Sequence, residues 1–161
     1  MKYKSGILVA LLDEYEKALN EYVEVISQLG CEEKFCKIVD TQTKDEDCRS
    51  VQTIARHVID SGYYYAEFIR KRLNLDLGNV PKKESFAATT FNCIQEMGEM
   101  FIYTEDTFKD RMDMNDQQLE SAVMKTSWGT IYDIEQLMEH AIVHILRHRR
   151  QIERFRVSAL E

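Results

Sequence analysis

The segment TIYDIEQLMEHAIVHILRHRRQIERF, residues 130–155, determines the expected fold because its apolar residues recur at α-helical spacing. At about 100° per residue, its main apolar side chains lie within about 60° of Ala141 on a helical wheel. They are Ile134, Leu137, Met138, Ile145, Ile152 and Phe155. Thr130 and Asp133 have the spacing of a capping box, which predicts Thr130 as the N-cap. One face of this helix is therefore expected to pack against other helices.

Three further segments repeat this spacing and predict three more long helices, over residues 5–30, 50–73 and 85–112. Gly30 is the expected stop of the first of them. Because the connections are short relative to the helices, we predict an all-α fold, a four-helix bundle. The length of 161 residues suits one core, so residues 1–161 are expected to form a single domain.

The connections contain the residues that interrupt a helical pattern. Residues 31–49 are polar and mixed, and a loop with a short helical turn is expected there. Gly78 and Pro81 break the pattern before the third helix, and residues 113–129 lead into the fourth.

Composition narrows the classes of function. A formal net charge of −7 argues against non-specific binding to nucleic acid, because phosphate neutralisation needs cations. No apolar run approaches the roughly 20 residues of a membrane span. The N-terminal apolar run is short and is followed directly by acidic residues, unlike a targeting signal. The four cysteines lack a Cys-x-x-Cys pair, so a cytoplasmic protein with reduced thiols is expected.

Three of the four histidines are stacked in the last helix, as His140, His144 and His148. On the wheel His148 lies at about −20°, inside the apolar stripe, with His144 at about −60° and His140 at about −100°. Two imidazoles four residues apart can hold a metal ion. Structural histidines, each hydrogen-bonded within the bundle, explain the pair equally well. His57, in the second helix, is the candidate for a third ligand from a facing helix.

Two motifs carry a family resemblance. SVQTIARHVIDSGYYYAEFIR (residues 50–70) and MEHAIVHILRHRRQI (residues 138–152) are similar to the DinB-like family, which includes bacillithiol-transferase-like proteins. A first motif, His-x-x-Asp, is matched by His57 and Asp60. A second, His-x-x-x-His-Arg-Gly-Gln-[Ile/Leu], is matched by the set His144, His148, Arg149, Gln151 and Ile152. Arg150 stands where the family usually has glycine, and no tryptophan precedes the second helix at Arg49 or Ser50.

The resemblance implies an up-down-down-up four-helix bundle, often dimeric, with a divalent metal held by His57, His144 and His148. It also implies an enzyme that transfers a low-molecular-weight thiol, a small-molecule substrate, to an electrophile. The alternatives are a metal-dependent hydrolase and a non-catalytic, stress-linked metal-binding or interaction bundle. Imidazole accepts several transition metals, of which zinc and nickel are expected first. No residue is assigned as the general base.

His140 is expected not to bind the metal. It lies about 12 Å along the helix axis from His148, twice the roughly 6 Å between neighbours in the stack. One ion with bonds of about 2.0–2.1 Å is shared far more readily by neighbours than by both ends. On spacing alone His140 and His144 could form the pair instead, but the wheel ranks that pair lower, and the family motif selects His144 and His148.

Other side chains have predicted places around the centre. Gln151, on the histidine side of the helix, is the candidate partner of a ligand imidazole. Trp128 has two interpretations, as the rim of a pocket and as a packing residue. Tyr65 is expected in the core, with Tyr63 and Tyr64 at the surface or an interface.

The last helix is also apolar outside its core stripe, at Ile142, Val143 and Leu146. A monomeric bundle usually has polar residues on that side, so a homodimer is expected to bury part of this surface. The alternative is that one of the first two connections folds over it.

Overall fold

The structure, a computed structural model, describes residues 6–81 and 88–157. It is mostly helical. The four long helices are α1 (Ile7–Ser27), α3 (Val51–Arg72), α4 (Thr90–Phe108) and α6 (Ile134–Phe155). The shorter elements are α2 (Glu32–Cys36), a 3₁₀ turn (Glu46–Cys48), α5 (Asp116–Ser121), β1 (Met124–Lys125) and β2 (Ile131–Tyr132).

The four long helices pack on one another as a bundle. Helix α1 contacts α4 and α6, and α3 contacts the same two helices from the other side. Each long helix buries an apolar stripe, and the large side chains at the centre are fully enclosed. Among them are Tyr15, Tyr22, Phe35 and Phe108. The mostly helical character and the four long helices predicted from the sequence are confirmed.

A small antiparallel hairpin was not predicted. Strand β1 pairs with β2 so that Met124 faces Tyr132 and Lys125 faces Ile131. Two residues per strand are too few for an alternating pattern to be visible in the sequence. Between the strands, Thr126 donates its backbone N–H to the Thr130 carbonyl at 2.9 Å, and Gly129 turns the chain with a φ of 89°.

Helix α6 begins later than the capping pattern predicted. Thr130 is not its N-cap, because its carbonyl is used inside the hairpin turn. The cap is Asp133, whose Oδ1 accepts from the backbone N–H of Gln136 at 2.8 Å. Gln136 returns the bond from its Oε1 to the Asp133 N–H at 3.2 Å, which completes a capping box three residues downstream of the predicted one.

The other helix ends differ from the predictions by a few residues. Helix α1 ends at Ser27, three residues before Gly30. The third predicted helix is shorter at both ends, since α4 runs from Thr90 to Phe108. It begins there because the Thr89 side chain caps it by accepting from the Asn92 N–H at 3.1 Å. Its predicted start at residue 85 lies outside the described residues. The start of α3 agrees with the prediction, since Ser50 and Thr53 form a capping box.

Helices α3 and α4 approach closely at Gly62, and from this contact we predict how a substitution there changes the free energy of unfolding. An added Cβ at Gly62 would overlap the Met100 sulfur in the core. We expect Gly62→Ala to lower the free energy of unfolding by about 1–3 kcal/mol, since overpacking forces side chains off their rotamers. The matched control is Gly98→Ala in α4, where nothing lies within 4 Å. It should stabilise by up to about 1 kcal/mol. Urea unfolding measures both, and stabilisation by both would contradict the close contact.

None of the helices in the described part of the chain combines the length and the apolarity that crossing a membrane requires.

Candidate metal centre

Three histidines meet where α3 packs against α6. His57 of α3 places its Nε2 at 2.9 Å from the Nε2 of His144, and the Nε2 of His148 lies at 3.2 Å from the same atom. One ligand atom from each ring lies within 4.8 Å of the others, a spacing at which the group could hold a metal ion. The three rings come together because α3 contacts α6, and because His144 and His148 are one turn apart on the face of α6 toward α3.

Two of the three rings have a polar partner at the nitrogen remote from the centre, a hydrogen bond at His148 and a carboxylate contact at His57. His148 Nδ1 lies 3.1 Å from Gln151 Oε1. Because an amide oxygen only accepts, Nδ1 must carry the proton, which leaves the Nε2 lone pair for a cation. His57 Nδ1 lies 3.4 Å from Asp47 Oδ2, an arrangement that selects the same tautomer.

Gln151 was predicted as the partner of a ligand imidazole, and the contact with His148 places it there. Its Nε2 donates to the Cys48 carbonyl at 3.5 Å, which orients the amide oxygen toward His148. Asp47 was missed by the sequence reasoning. It lies in the 3₁₀ turn, and an acidic residue ten positions before a histidine has no spacing that points to contact.

Burial keeps His144 and His148 neutral. Burial, together with smaller contributions from repulsion by the charged forms of His148 and His57, lowers the pKa of His144 to about 3. Burial likewise lowers the pKa of His148 to about 4, with a smaller contribution from His57. Both imidazoles are therefore uncharged at neutral pH, the protonation state in which imidazole binds metals.

His140 lies outside this group. Its ring stacks on Trp128, with centroids 5.7 Å apart and planes 25° apart, and its Nδ1 is 3.3 Å from the Tyr132 hydroxyl. The hairpin positions both aromatic partners, since Tyr132 belongs to β2 and Trp128 to the turn between the strands. His140 therefore belongs to an aromatic wall beside the centre.

An open cleft of about 530 Å³ lies next to the three histidines. It is lined by Asp47, His57, Asp60, Ser61, Tyr64, Tyr65, Trp128, His140, His144 and Arg147. His57 and His144 face this cleft, whereas His148 is only 3% exposed. A tetrahedral ion held by three imidazoles keeps one position for an outside ligand, as catalytic zinc sites do.

The aromatic residues around the cleft agree with the sequence predictions except at one position. Trp128 forms part of the rim and is 46% exposed. Tyr65 is buried as predicted, and Tyr64 is half-buried at the cleft. The prediction that Tyr63 lies at the surface or an interface was wrong. It is buried because it packs against Tyr103 of α4, with ring centroids 5.3 Å apart.

A comparison of the chain with models of known protein families gives no match, and a comparison with curated proteins finds no similar protein.

The contact between Gln151 and His148 leads to a prediction for metal affinity. Gln151→Ala removes the acceptor that orients the imidazole, and we expect metal binding to weaken by about 10- to 100-fold. Gln151→Glu is the matched control, because a carboxylate oxygen can accept the same hydrogen bond and should keep the affinity close to that of the parent protein. Titration of each metal-free variant with zinc against a competing chelator measures the effect. Equal affinities for the alanine variant and the parent would contradict it.

Proposed function

We propose that the protein is a divalent-metal-dependent enzyme of the DinB-like family that transfers a low-molecular-weight thiol to an electrophile. The observation that carries the proposal is the convergence of three Nε2 atoms beside an open cleft. In the metal-free state a proton on His144 Nε2 can be shared with a neighbouring ring, and a cation would take its place among the three nitrogens.

The donor set suits zinc or nickel. Ligand nitrogens of a tetrahedral ion with bonds of about 2.0–2.1 Å lie roughly 3.3 Å apart. The separations of 2.9 and 3.2 Å from His144 are close to this value and the third pair lies within 4.8 Å, so rotations of the rings would accommodate the ion. His57, His144 and His148 would hold it, with Asp47 and Gln151 orienting two of the rings.

Three neutral ligands give the site its chemistry. A bound dication would keep its full charge among uncharged imidazoles and supply Lewis-acid activation of a thiol in the cleft. In the transfer, the thiol releases its proton to solvent water, its sulfur forms a bond to the electrophilic carbon, and the leaving group departs with the electrons of its bond. The half-buried position of His57 and His144 lets both reactants approach the centre from one side.

The order of the two histidine motifs along the chain supports membership of the DinB-like family and its up-down-down-up topology. The His-x-x-Asp residues lie in α3 and the second motif in α6, and these helices contact each other at the centre. Arg150, which replaces the usual glycine, is exposed and does not line the histidine cleft.

The function is tested by incubating zinc-loaded and nickel-loaded protein with cysteine, glutathione and coenzyme A, each with monochlorobimane as the electrophile. Mass spectrometry follows the thioether. We expect a metal-dependent adduct with at least one thiol, and its loss in the His144→Ala variant. Stoichiometric metal without a metal-dependent adduct from any thiol would overturn the transferase and favour the non-catalytic metal-binding bundle.

We further propose that the protein is a homodimer. Of the three apolar residues predicted to form the interface, Ile142 and Leu146 are half-buried against the core, whereas Val143 is 61% exposed. Ile131, 62% exposed, lies beside Val143 in the same shallow depression. The support is therefore an apolar pair that a second copy would cover. Light scattering at micromolar concentration should give twice the mass of the chain, and a monomer would rule the dimer out.

A further inference from the structure

The cleft beside the histidines contains a cation that the metal centre does not use. Arg147 follows His144 by three residues on α6, lines the cleft and is exposed. Within residues 6–81 and 88–157, its guanidinium makes neither an ion pair nor a hydrogen bond. The next arginine along, Arg149, is different, because it pairs with Glu21 and with Glu153.

The acidic groups of the cleft are already engaged. Asp47 contacts His57 at 3.4 Å, and Asp60 also has a partner within the structure. Aromatic walls with carboxylates can bind organic cations. Here an exposed guanidinium faces the same space, and a dication held by neutral imidazoles would add to the positive charge. Arg147 and such a dication would together outweigh the two carboxylates, so the metal-loaded cleft favours an anion, and without metal an anion depends on its direct pairing with Arg147.

Part of the cleft lining is aromatic. Trp128 is flanked by Tyr64 and Tyr65, each with its ring centroid 6.2 Å away, and His140 stacks on it. These contacts hold the indole in place while nearly half of its surface stays exposed. A planar ring that enters the cleft can pack against this wall in an offset or edge-on arrangement.

We infer that the cleft binds an aromatic anion, whose carboxylate or similar oxyanion pairs with Arg147 and whose ring packs against Trp128. This deepens the proposed function by naming the substrate class of the same cleft, and it rests on that function only for the reaction that follows binding. A guanidinium provides a planar fork of N–H donors that matches an oxyanion, which explains why a flexible lysine would not serve equally well. Arg147 is thus a specificity-determining residue.

Trp128 makes the test direct, because it is the only tryptophan in the chain and its fluorescence reports on the cleft. Benzoate, its neutral counterpart benzamide, and acetate, which lacks the ring, are titrated separately. Each titration uses metal-free and zinc-loaded protein. We expect benzoate to bind at least about tenfold more tightly than benzamide in both states, since charge-assisted hydrogen bonds exceed neutral ones. Acetate should bind more weakly than benzoate.

The matched pair of variants is Arg147→Gln and Arg150→Gln. Both replace an exposed arginine of α6, but Arg150 does not line this cleft. In the metal-free protein, Arg147→Gln should remove the preference for benzoate over benzamide, and Arg150→Gln should retain it. Benzamide binding as tightly as benzoate to the metal-free parent protein, or a preference that survives in metal-free Arg147→Gln, would overturn the assignment of the anion to Arg147. Acetate binding as tightly as benzoate would overturn the role of the aromatic wall.

The metal-free arm separates this inference from the proposed function. Selective binding of benzoate without zinc, together with failure of the thiol-transfer assay, would support the anion site and reject the transferase. Thiol transfer with no preference for benzoate would support the transferase and reject the anion site.

Discussion

Alanine at His57, His144 or His148 is expected to abolish stoichiometric metal binding. Each substitution leaves two imidazoles, and the expected loss of affinity exceeds the roughly 100-fold that removal of a supporting hydrogen bond alone can cost. The Nε2 of His144 lies 2.9 Å from that of His57 and 3.2 Å from that of His148. The one remaining histidine of the chain is not placed to replace a missing ligand. His140 is engaged with Trp128 and Tyr132 instead.

Metal content after dialysis against zinc, measured by atomic emission, tests this expectation. His140→Ala is the matched control, since it removes an imidazole from the same helix and should keep about one ion per chain. Circular dichroism shows whether each variant has folded. A folded His140→Ala protein without metal, or a His144→Ala protein with full occupancy, would contradict the ligand assignment.

Phe35→Ala is expected to have the largest effect on stability. The side chain lies in α2 and is fully buried, and α2 packs against α3. Removal of a buried phenylalanine costs about 3–5 kcal/mol, because it combines lost transfer free energy with an unfilled cavity. The same connection carries Asp47, so a loosened α2 should also weaken metal binding.

Phe91→Ala provides the control, because this phenylalanine is 74% exposed at the start of α4. Its substitution should change the free energy of unfolding by no more than about 0.5 kcal/mol. Urea denaturation followed by circular dichroism measures both variants. Similar small changes at the two positions would mean that α2 is not anchored as the structure shows.

The helical part of the fold and the histidine group were accessible from the sequence because both depend on periodicity. A spacing of four residues places His144 and His148 on one side of α6, and their position relative to Ala141 directs them inward. His57 could be named because it is the single histidine outside α6 and because it matches the His-x-x-Asp motif of the family resemblance. That α3 and α6 bring the rings into contact is tertiary information, which no local pattern contains.

The features that were missed depend on short or non-local structure. The capping box of α6 was placed at Thr130 because the pattern there resembles the true one at Asp133, and only the hairpin distinguishes them. The contact of Asp47 with His57 joins a 3₁₀ turn to a helix. Tyr63 was misplaced because its burial depends on Tyr103 of α4. Each error concerns a partner outside the local segment.

The role of Trp128 also could not be predicted from the residues near it in the sequence. A lone tryptophan before a helix is compatible with packing and with a pocket rim, and the sequence left both interpretations open. The two-residue strands on either side of its turn bring it over His140 and beside Tyr64. The cleft therefore depends on a hairpin that is too short to be recognised from its residues.

X-ray absorption spectroscopy of the zinc-loaded protein tests the central claim most directly, because it reports the atoms bound to the ion. We predict three imidazole nitrogens and an oxygen from solvent at about 2.0–2.1 Å. A sulfur ligand at about 2.3 Å would contradict this, since it would place a cysteine in the coordination sphere in place of a histidine.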